Sequence, residues 1–521
     1  MKISQILLWL IVLLGLTLRF QVQFLEPFFN NDEIDLGMNI NQRGYFDLLY
    51  PLKHYQTAPP LFLWLMKLIY CIPFGDSWLK YKVFFFLLNI PFFYLFYSWA
   101  KRFISEPRLL LVAMAMVCLN PFFIYHGLTL KQYILDVVIV LLIVKSDFKR
   151  DSNPWYKALW VLAPLISNPI LFVYSGYLIR VFLRLLLSND NMAGKSTLKK
   201  FLNAITGFLK EPLYRWFYLP LFVYVTYFIW YKQQPGYLEL TRFMWNFWKL
   251  TFFSNPNDFF IRIYYFFIGN ITFIFSHDKT LANLGTLLFF IGLVRFYRSN
   301  TNSSLKKSLG FYMGAMAVFI VLNFLKMYPI APRLLLFFAP AVVLLIVYSG
   351  QIKNKVYSVL WLVIVCVGLG NYALYFPFKE NDVLAMAKRL ELLKPEQTFY
   401  SMNSIRAIKK FDAFTEGAFN IQNEHVFITQ KKNPSSSDSL FVLKLVHQFG
   451  RNGLNGPIME PCIPAAVEAK RIVLVDAADG FNIYAIKDKS IIVEFTQQGI
   501  LHPDYLNTGS LKKQDNPFCY P

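Results

Sequence analysis

Apolar residues run in long blocks through the first three quarters of the chain, and short polar stretches divide them at helix-length intervals. A helix that crosses ~30 Å of hydrocarbon needs about 20 apolar residues and satisfies its own backbone hydrogen bonds, which lipid cannot do. The blocks predict spans at 3–24, 81–100, 109–125, 134–144, 155–166, 169–187, 213–231, 281–296, 309–325, 333–348 and 356–376. A shorter block after Pro59-Pro60, Leu61 to Ile72, predicts an interfacial or re-entrant segment anchored by Trp64 and Tyr70. The stretch Lys232 to Thr280 reads as a long outer loop, with an apolar piece from Ile261 to Phe275 that dips into the bilayer.

The pattern changes near Pro377. Span-length apolar runs stop, and a helix at Asp382 to Leu393 and strands near Thr398 to Ser401 and Arg471 to Val475 are predicted, with a loop at Asn433 to Ser439. This tail of about 145 residues has the size of a domain. The fold expected is a polytopic α-helical membrane protein of about eleven spans, N-terminus in and C-terminus out, with a C-terminal soluble α/β domain. The boundary falls between 1–376 and 377–521.

Composition supports this reading. Of the 521 residues, 56 % are hydrophobic and only 16 % charged, which excludes a soluble multidomain protein. The net charge of +21 is carried by clusters such as Lys101-Arg102, Lys149-Arg150, Lys199-Lys200, Lys306-Lys307 and Lys353 with Lys355. They fall in alternate loops, as the positive-inside rule requires, and no nucleic-acid-binding module accompanies them. The N-terminal apolar stretch has no small-residue cleavage site behind it and reads as a retained first span. Of five cysteines, Cys71, Cys118 and Cys366 read as small apolar residues, while Cys462 and Cys519 could pair on an oxidising membrane face. Ala193 to Thr197, AGKST, ends like a phosphate-binding loop. It lacks the first glycine, Asn189 standing there, and follows a span, so Lys195 is topological charge.

Candidate chemistry gathers on the outer side. Asn30 to Leu65 carries Asp32, Glu33, Asp35 and Asp47 between two apolar segments, and His54, Lys131, Tyr133 and Arg333 also sit at outer span ends. Ionisable groups there normally face a cavity or the water boundary. Carboxylates with cations suit an anionic lipid-linked substrate: the cations hold a phosphate and a carboxylate takes a proton from an acceptor hydroxyl. Plain structural roles explain several of them too. Asp32 and Glu33 suit the first turn of a helix capped by Asn30 or Asn31, Lys131 and Arg333 suit snorkelling, His54 and His126 read as polar surface, and Asp35 and Asp47 read as ordinary polar positions. Paired acids could hold a divalent cation, although the sequence shows no complete ligand set for one and points to no certain cofactor.

In order, Asp32-Glu33, PPLFLWL (Pro59 to Leu65), YHGLTLKQYILD (Tyr125 to Asp136), SNPILFVY (Ser167 to Tyr174) and YPIAPRLLLFFAP (Tyr328 to Pro340) resemble segments of the type C glycosyltransferases. The branch is that of the protein O-mannosyltransferases and the lipid A aminoarabinose transferase. EQTFYSMNSIRAIKKF (Glu396 to Phe411) is similar to the soluble tails of its bacterial members.

The resemblance implies an integral membrane glycosyltransferase in a bacterial inner membrane, multi-pass, with its active site facing the periplasm. It implies transfer of a sugar from a polyprenyl-phosphate carrier to a lipid, polysaccharide or protein acceptor, with inversion. Asp32 is then the catalytic base and Glu33 its support. Some members carry a lysine just before the Pro-Pro pair, where this chain has Ala58, so Lys131 and Arg333, with His54 and Tyr133, are left to bind the carrier phosphate. A flippase of lipid-linked sugars and a non-catalytic envelope assembly protein are the alternatives. The two related halves common in transporters are not evident in the sequence.

Overall fold

A computed structural model of the chain describes residues 3–25, 31–145, 154–187, 214–248, 279–299, 303–329, 332–352, 355–375, 382–393, 397–400, 439–444, 446–450, 453–458, 462–478 and 481–498, with isolated positions between them. The Cα framework separates into two compact units. The first comprises Met1–Leu25, Asn39–Pro73 and Lys80–Pro377; the second comprises Phe378–Pro521 and takes in Glu26–Met38 and Phe74–Leu79.

The first unit is helical. Its opening helix α1 (Ile3–Phe20) runs on as a π-helical turn, Gln21–Leu25. Then come α2 (Asn31–Gln42), which starts in the second unit, α3 (Pro60–Tyr70), α4 (Ser77–Ala100), α5 (Pro107–Cys118) and α6 (Pro121–Leu128). Next are α7 (Tyr133–Lys145), α8 (Pro154–Ile166), α9 (Pro169–Leu187), α10 (Tyr214–Lys232) and α11 (Tyr237–Trp248). The series closes with α12 (Lys279–Arg298), α13 (Ser303–Phe324), a 3-10 stretch Pro332–Phe338 leading into α14 (Ala339–Ser349), and α15 (Lys355–Tyr375). On its outer face α1 exposes Trp9, Leu10, Leu13 and Leu14, a surface suited to lipid rather than water, while Gly15 and Arg19 are buried.

Among the described residues, Ile3–Phe24, Ser77–Ala100 and Thr280–Arg298 are long and apolar enough to cross a membrane alone. The bent pair α5 and α6 makes a fourth. Shorter apolar helices of 10–17 residues occupy five more of the predicted spans, including Pro169–Ile179 and Ser308–Phe324. The predicted span 109–125 is therefore not one helix but two, at 48°. Leu119 ends the first and Asn120 caps the second, its Oδ1 accepting from the Phe122 amide at 2.9 Å, and Pro121 takes the first helical position, where α6 itself offers an N–H no partner. The predicted loop His126 to Tyr133 shrinks to Thr129–Gln132. The long outer stretch begins with α11 rather than irregular chain, and most of Ile261 to Phe275 lies outside the described residues.

Glycines let the helices approach closely, as in membrane bundles. A β-carbon on Gly176 of α9 would stand 2.5 Å from the Ala315 amide nitrogen of α13, next to Gly314. One on Gly292 of α12 would collide with the Leu345 carbonyl oxygen of α14.

The second unit contains α16 (Asp382–Leu393), as the sequence predicts, and a four-stranded sheet in the order β1-β2-β6-β5. Its strands are β1 (Gln397–Tyr400), β2 (Ser439–Lys444), β5 (Ile472–Ala478) and β6 (Phe481–Ile486), and the β1–β2 pair alone is parallel. A separate antiparallel pair is formed by β3 (Val446–Gly450) and β4 (Gly453–Ile458). Phe399, Phe441, Leu443, Ile472 and Tyr484 of the sheet pack with Ile463 of α17 (Cys462–Glu468) and Ile491 and Phe495 of α18 (Ser490–Gln497). Arg471, at the start of β5, pairs with Asp488 at 2.9 Å and Glu494 at 2.7 Å. The Ser77 hydroxyl meets the Phe414 carbonyl at 3.5 Å, tying the Phe74–Leu79 insertion to the rest of the unit. Residues 433–438 of the predicted loop, Cys519 and the AGKST segment lie outside the described residues.

Candidate functional site

Asp32 and Glu33 occupy the first turn of α2, where the unpaired amides and the positive end of the helix dipole favour negative charge. Glu33 is 1 % exposed and Asp35 9 %, with Asp32 half-buried. Asp35 is thus not the ordinary polar position that the sequence reading makes it. A carboxylate taken out of water is costly, and chains retain such groups where they are held or used.

The far end of α2, in the first unit, is fixed by three side-chain contacts. The Lys67 ammonium donates to the Ile40 and Asn41 carbonyls at 2.9 and 3.0 Å, neutralising the carbonyl-rich end of the helix. Tyr81 donates to Asn41 Oδ1 at 2.7 Å. Asn39 and the Lys53 backbone exchange two hydrogen bonds, at 2.8 and 3.0 Å. The segment Lys53–Tyr55 then turns through positive φ at both His54 (58°) and Tyr55 (55°), a region that costs non-glycine residues energy. Tyr55 stacks on Phe243 of α11, ring centroids 4.2 Å apart and nearly parallel. The His54 side chain is exposed, and its carbonyl accepts from the Gln56 amide at 3.3 Å.

Gln56 is buried and its Oε1 accepts from the ammonium of Lys131, itself only 7 % exposed. The contact joins residues 75 apart in sequence and sets a buried cation two positions before Ala58 and the Pro59-Pro60 start of α3. Lys131 therefore does not snorkel.

The His126 side chain is packed rather than exposed. Phe122, Tyr125 and Tyr133 surround its ring with edge contacts at 4.4, 4.9 and 5.5 Å between centroids, and Arg333 lies within electrostatic reach. Its Nδ1 is buried without a hydrogen-bond partner among the described residues. Tyr133 opens α7, and one turn on Asp136 is 5 % exposed with Oδ1 likewise unpartnered. Tyr328, in the loop before Arg333, packs edge-on against Phe172 and Phe319. Burial raises the pKa of its phenol, and the nearby Asp136 carboxyl adds to the shift, so the phenol stays protonated and able to donate.

Lys131, Tyr133 and Arg333 are thus brought into one neighbourhood of the first unit, together with Gln56 and His126, and His54 joins through its backbone. Asp32 and Glu33 belong to the second unit. Sequence reasoning missed Gln56, Asp136 and Tyr328. Asp136 carried a readable signal, an acid inside an otherwise apolar span; Gln56 and Tyr328 carried none. Among the described residues no three of His, Cys, Asp and Glu are gathered as metal ligands.

No protein-family model and no curated protein matches the chain. Solved structures do, two of ArnT among them. The chain is similar to ArnT. The structure of ArnT from Cupriavidus metallidurans bound to undecaprenyl phosphate shares 11 % identity over 91 % of this chain and 97 % of its own, with a TM-score of 0.44. The structure of ArnT from the same organism in the apo state gives 11 %, the same coverages and 0.42.

Proposed function

We propose that the chain is a membrane glycosyltransferase that moves a sugar from a polyprenyl-phosphate carrier to an envelope acceptor at the periplasmic face of a bacterial inner membrane. The observation that carries this reading is the buried Lys131 ammonium on Gln56, a cation held out of water just before Pro59-Pro60, with Arg333 near His126 in the same unit. A buried cation favours an anionic partner, and a lipid phosphate presents one at that depth.

In this reading Lys131 and Arg333 bind the carrier phosphate, and Tyr133 and His54 line its approach. Asp32, supported by Glu33, accepts the proton of the acceptor hydroxyl as its oxygen attacks the anomeric carbon. The bond from that carbon to the phosphate oxygen breaks, and its electron pair leaves with the phosphate. A phosphate is a stable anion, so the departure needs cations rather than a general acid. One displacement inverts the anomeric centre, whereas retention through a glycosyl-enzyme would need a second carboxylate as nucleophile. The acceptor is a lipid, a polysaccharide or a protein.

Purified protein incubated with radiolabelled polyprenyl-phosphate sugars and membrane extract tests this. Wild type is expected to label an acceptor, and Asp32→Asn to lose about 10²–10⁴-fold in rate, the usual contribution of a positioned base. Full transfer by Asp32→Asn removes the base assignment. Absence of transfer by wild type, with movement of the lipid-linked sugar across liposomes, replaces the enzyme reading with a flippase.

A further inference from the structure

The fold holds a fully buried arginine that the proposed reaction does not use. Arg19 of α1 is 0 % exposed inside the first span, and no carboxylate is among its hydrogen-bond partners. Its guanidinium faces the Phe93 ring at 4.7 Å and donates to Asn89 Oδ1 at 2.8 Å and to the carbonyls of Gly15, Val117 and Cys118. A charge at that depth is costly, and its partners account for its presence.

The two α5 carbonyls are those that the break between α5 and α6 leaves open. In a continuous helix the amide of residue 121 would bond the Val117 carbonyl, but residue 121 is proline. The Phe122 amide would bond the Cys118 carbonyl, but it is taken by Asn120 Oδ1. In hydrocarbon each orphaned carbonyl needs another donor. Arg19 Nη1 and Nη2 supply both.

The other end of α6 is held from the same two helices. Asn89 Nδ2, on the residue that Arg19 orients, donates to the Gly127 carbonyl at 3.1 Å, and Gln23 Nε2 donates to the Leu128 carbonyl at 3.3 Å. Gly127 fits because a β-carbon there would stand 2.9 Å from Asn89 Oδ1. Asn89 and Gln23 are both buried. Three residues beyond Leu128 stands Lys131, whose amide returns to the Thr129 carbonyl at 2.7 Å.

We propose that Arg19, with Asn89 and Gln23, is a positioning residue: together they hold the α5–α6 break and the exit of α6, and so set where Lys131 presents its ammonium to a carrier phosphate. The proposal rests on the reading above for the ligand, but the placement of Lys131 can be measured without one.

The experiment uses the full chain in lipid nanodiscs, comparing wild type with Arg19→Met, Asn89→Ala, Gln23→Leu and Lys131→Ala. Lys131 is first labelled with a small amine-acylating reagent and read by mass spectrometry against exposed Lys101. Wild type is expected to be protected at Lys131, and the clamp variants to acylate it at least tenfold faster with Lys101 unchanged. Binding of undecaprenyl phosphate is then measured. Arg19→Met and Lys131→Ala are each expected to weaken it tenfold or more, and the double variant no further than Lys131→Ala alone, because Arg19 acts through that amine. Unchanged labelling of Lys131 in the variants that fold, or multiplied losses in the double variant, overturns the proposal. If Arg19→Met does not fold, Asn89→Ala and Gln23→Leu carry the same test at the α6 exit without removing a charge. Failure of wild type to bind the lipid while the labelling changes as expected removes the ligand reading and leaves the clamp standing.

Discussion

The Lys131 ammonium donates to the Gln56 side-chain carbonyl, so a loop that precedes α3 and a loop that precedes α7 meet through one buried polar contact. Its consequence for binding is direct. A hydrogen bond to a charged group contributes about 1.5–3 kcal/mol, and 1.4 kcal/mol is a factor of ten in affinity. On the proposed function, Lys131→Ala is expected to weaken undecaprenyl phosphate binding roughly 10- to 100-fold. Gln56→Leu keeps the cation and is expected to lose less. Titration of the lipid phosphate into nanodisc-embedded protein checks both, and equal affinity for wild type and Lys131→Ala ends the assignment.

The bundle has a second prediction at Gly314. A β-carbon on Gly314 would stand 2.7 Å from the Gly176 Cα, so Gly314→Val has no room and must push α9 and α13 apart. Overpacking of this kind costs about 1–3 kcal/mol, which thermal unfolding of the detergent-purified chain will show as a lowered midpoint. Gly370 of α15 is the control, since a β-carbon there meets nothing within 4 Å. Gly370→Ala is expected to leave the midpoint unchanged or to raise it, by up to about 1 kcal/mol of helix propensity.

At His54 the backbone sits in the left-handed region, with φ 58°. His54→Gly relieves a strain of about 1 kcal/mol, and the β-branched His54→Val adds to it. Opposite shifts in unfolding midpoint are expected. If His54→Gly also keeps lipid binding, the residue matters for the turn that delivers Gln56 rather than for its imidazole.

In the second unit the hydrogen bonds from the Ser490 amide and hydroxyl, and then the Arg471 guanidinium, hold the Asp488 carboxyl below its ordinary value of 3.8. A group depressed on folding stabilises the fold above its unfolded pKa, and that contribution is lost as pH falls through the folded value. Stability of this unit is thus expected to decline below about pH 4. Asp488→Asn is expected to flatten that acid limb in thermal unfolding scans from pH 6 to pH 3, and an unaltered limb places the loss elsewhere.

Much of the architecture was legible because hydrophobic periodicity reports burial in lipid directly. The break between α8 and α9 at Ser167-Asn168 and the helix from Asp382 both follow from local composition. The break at Asn120-Pro121 was less visible, because Pro at a helix start and Pro inside a span read alike until the carbonyls it frees are traced to Arg19. The candidate site was legible in its charges but not in its contacts. Lys131 stood out as a cation at a span end, yet nothing local to Gln56 marks it as the acceptor 75 residues away. Asp35 was misjudged because periodicity alone does not tell which faces of a short acidic helix are covered.

The make-up of the second unit sets an order of events during synthesis. Ser77 cannot meet the Phe414 carbonyl until 337 further residues have been made. At about 5–20 residues per second, roughly 20 to 70 seconds separate the two. Through that interval the Glu26–Met38 segment, with Asp32 and Glu33, has already left the ribosome while most of its unit has not. A nascent chain in this state exposes unfinished surface, the condition in which chaperones bind and proteolysis begins.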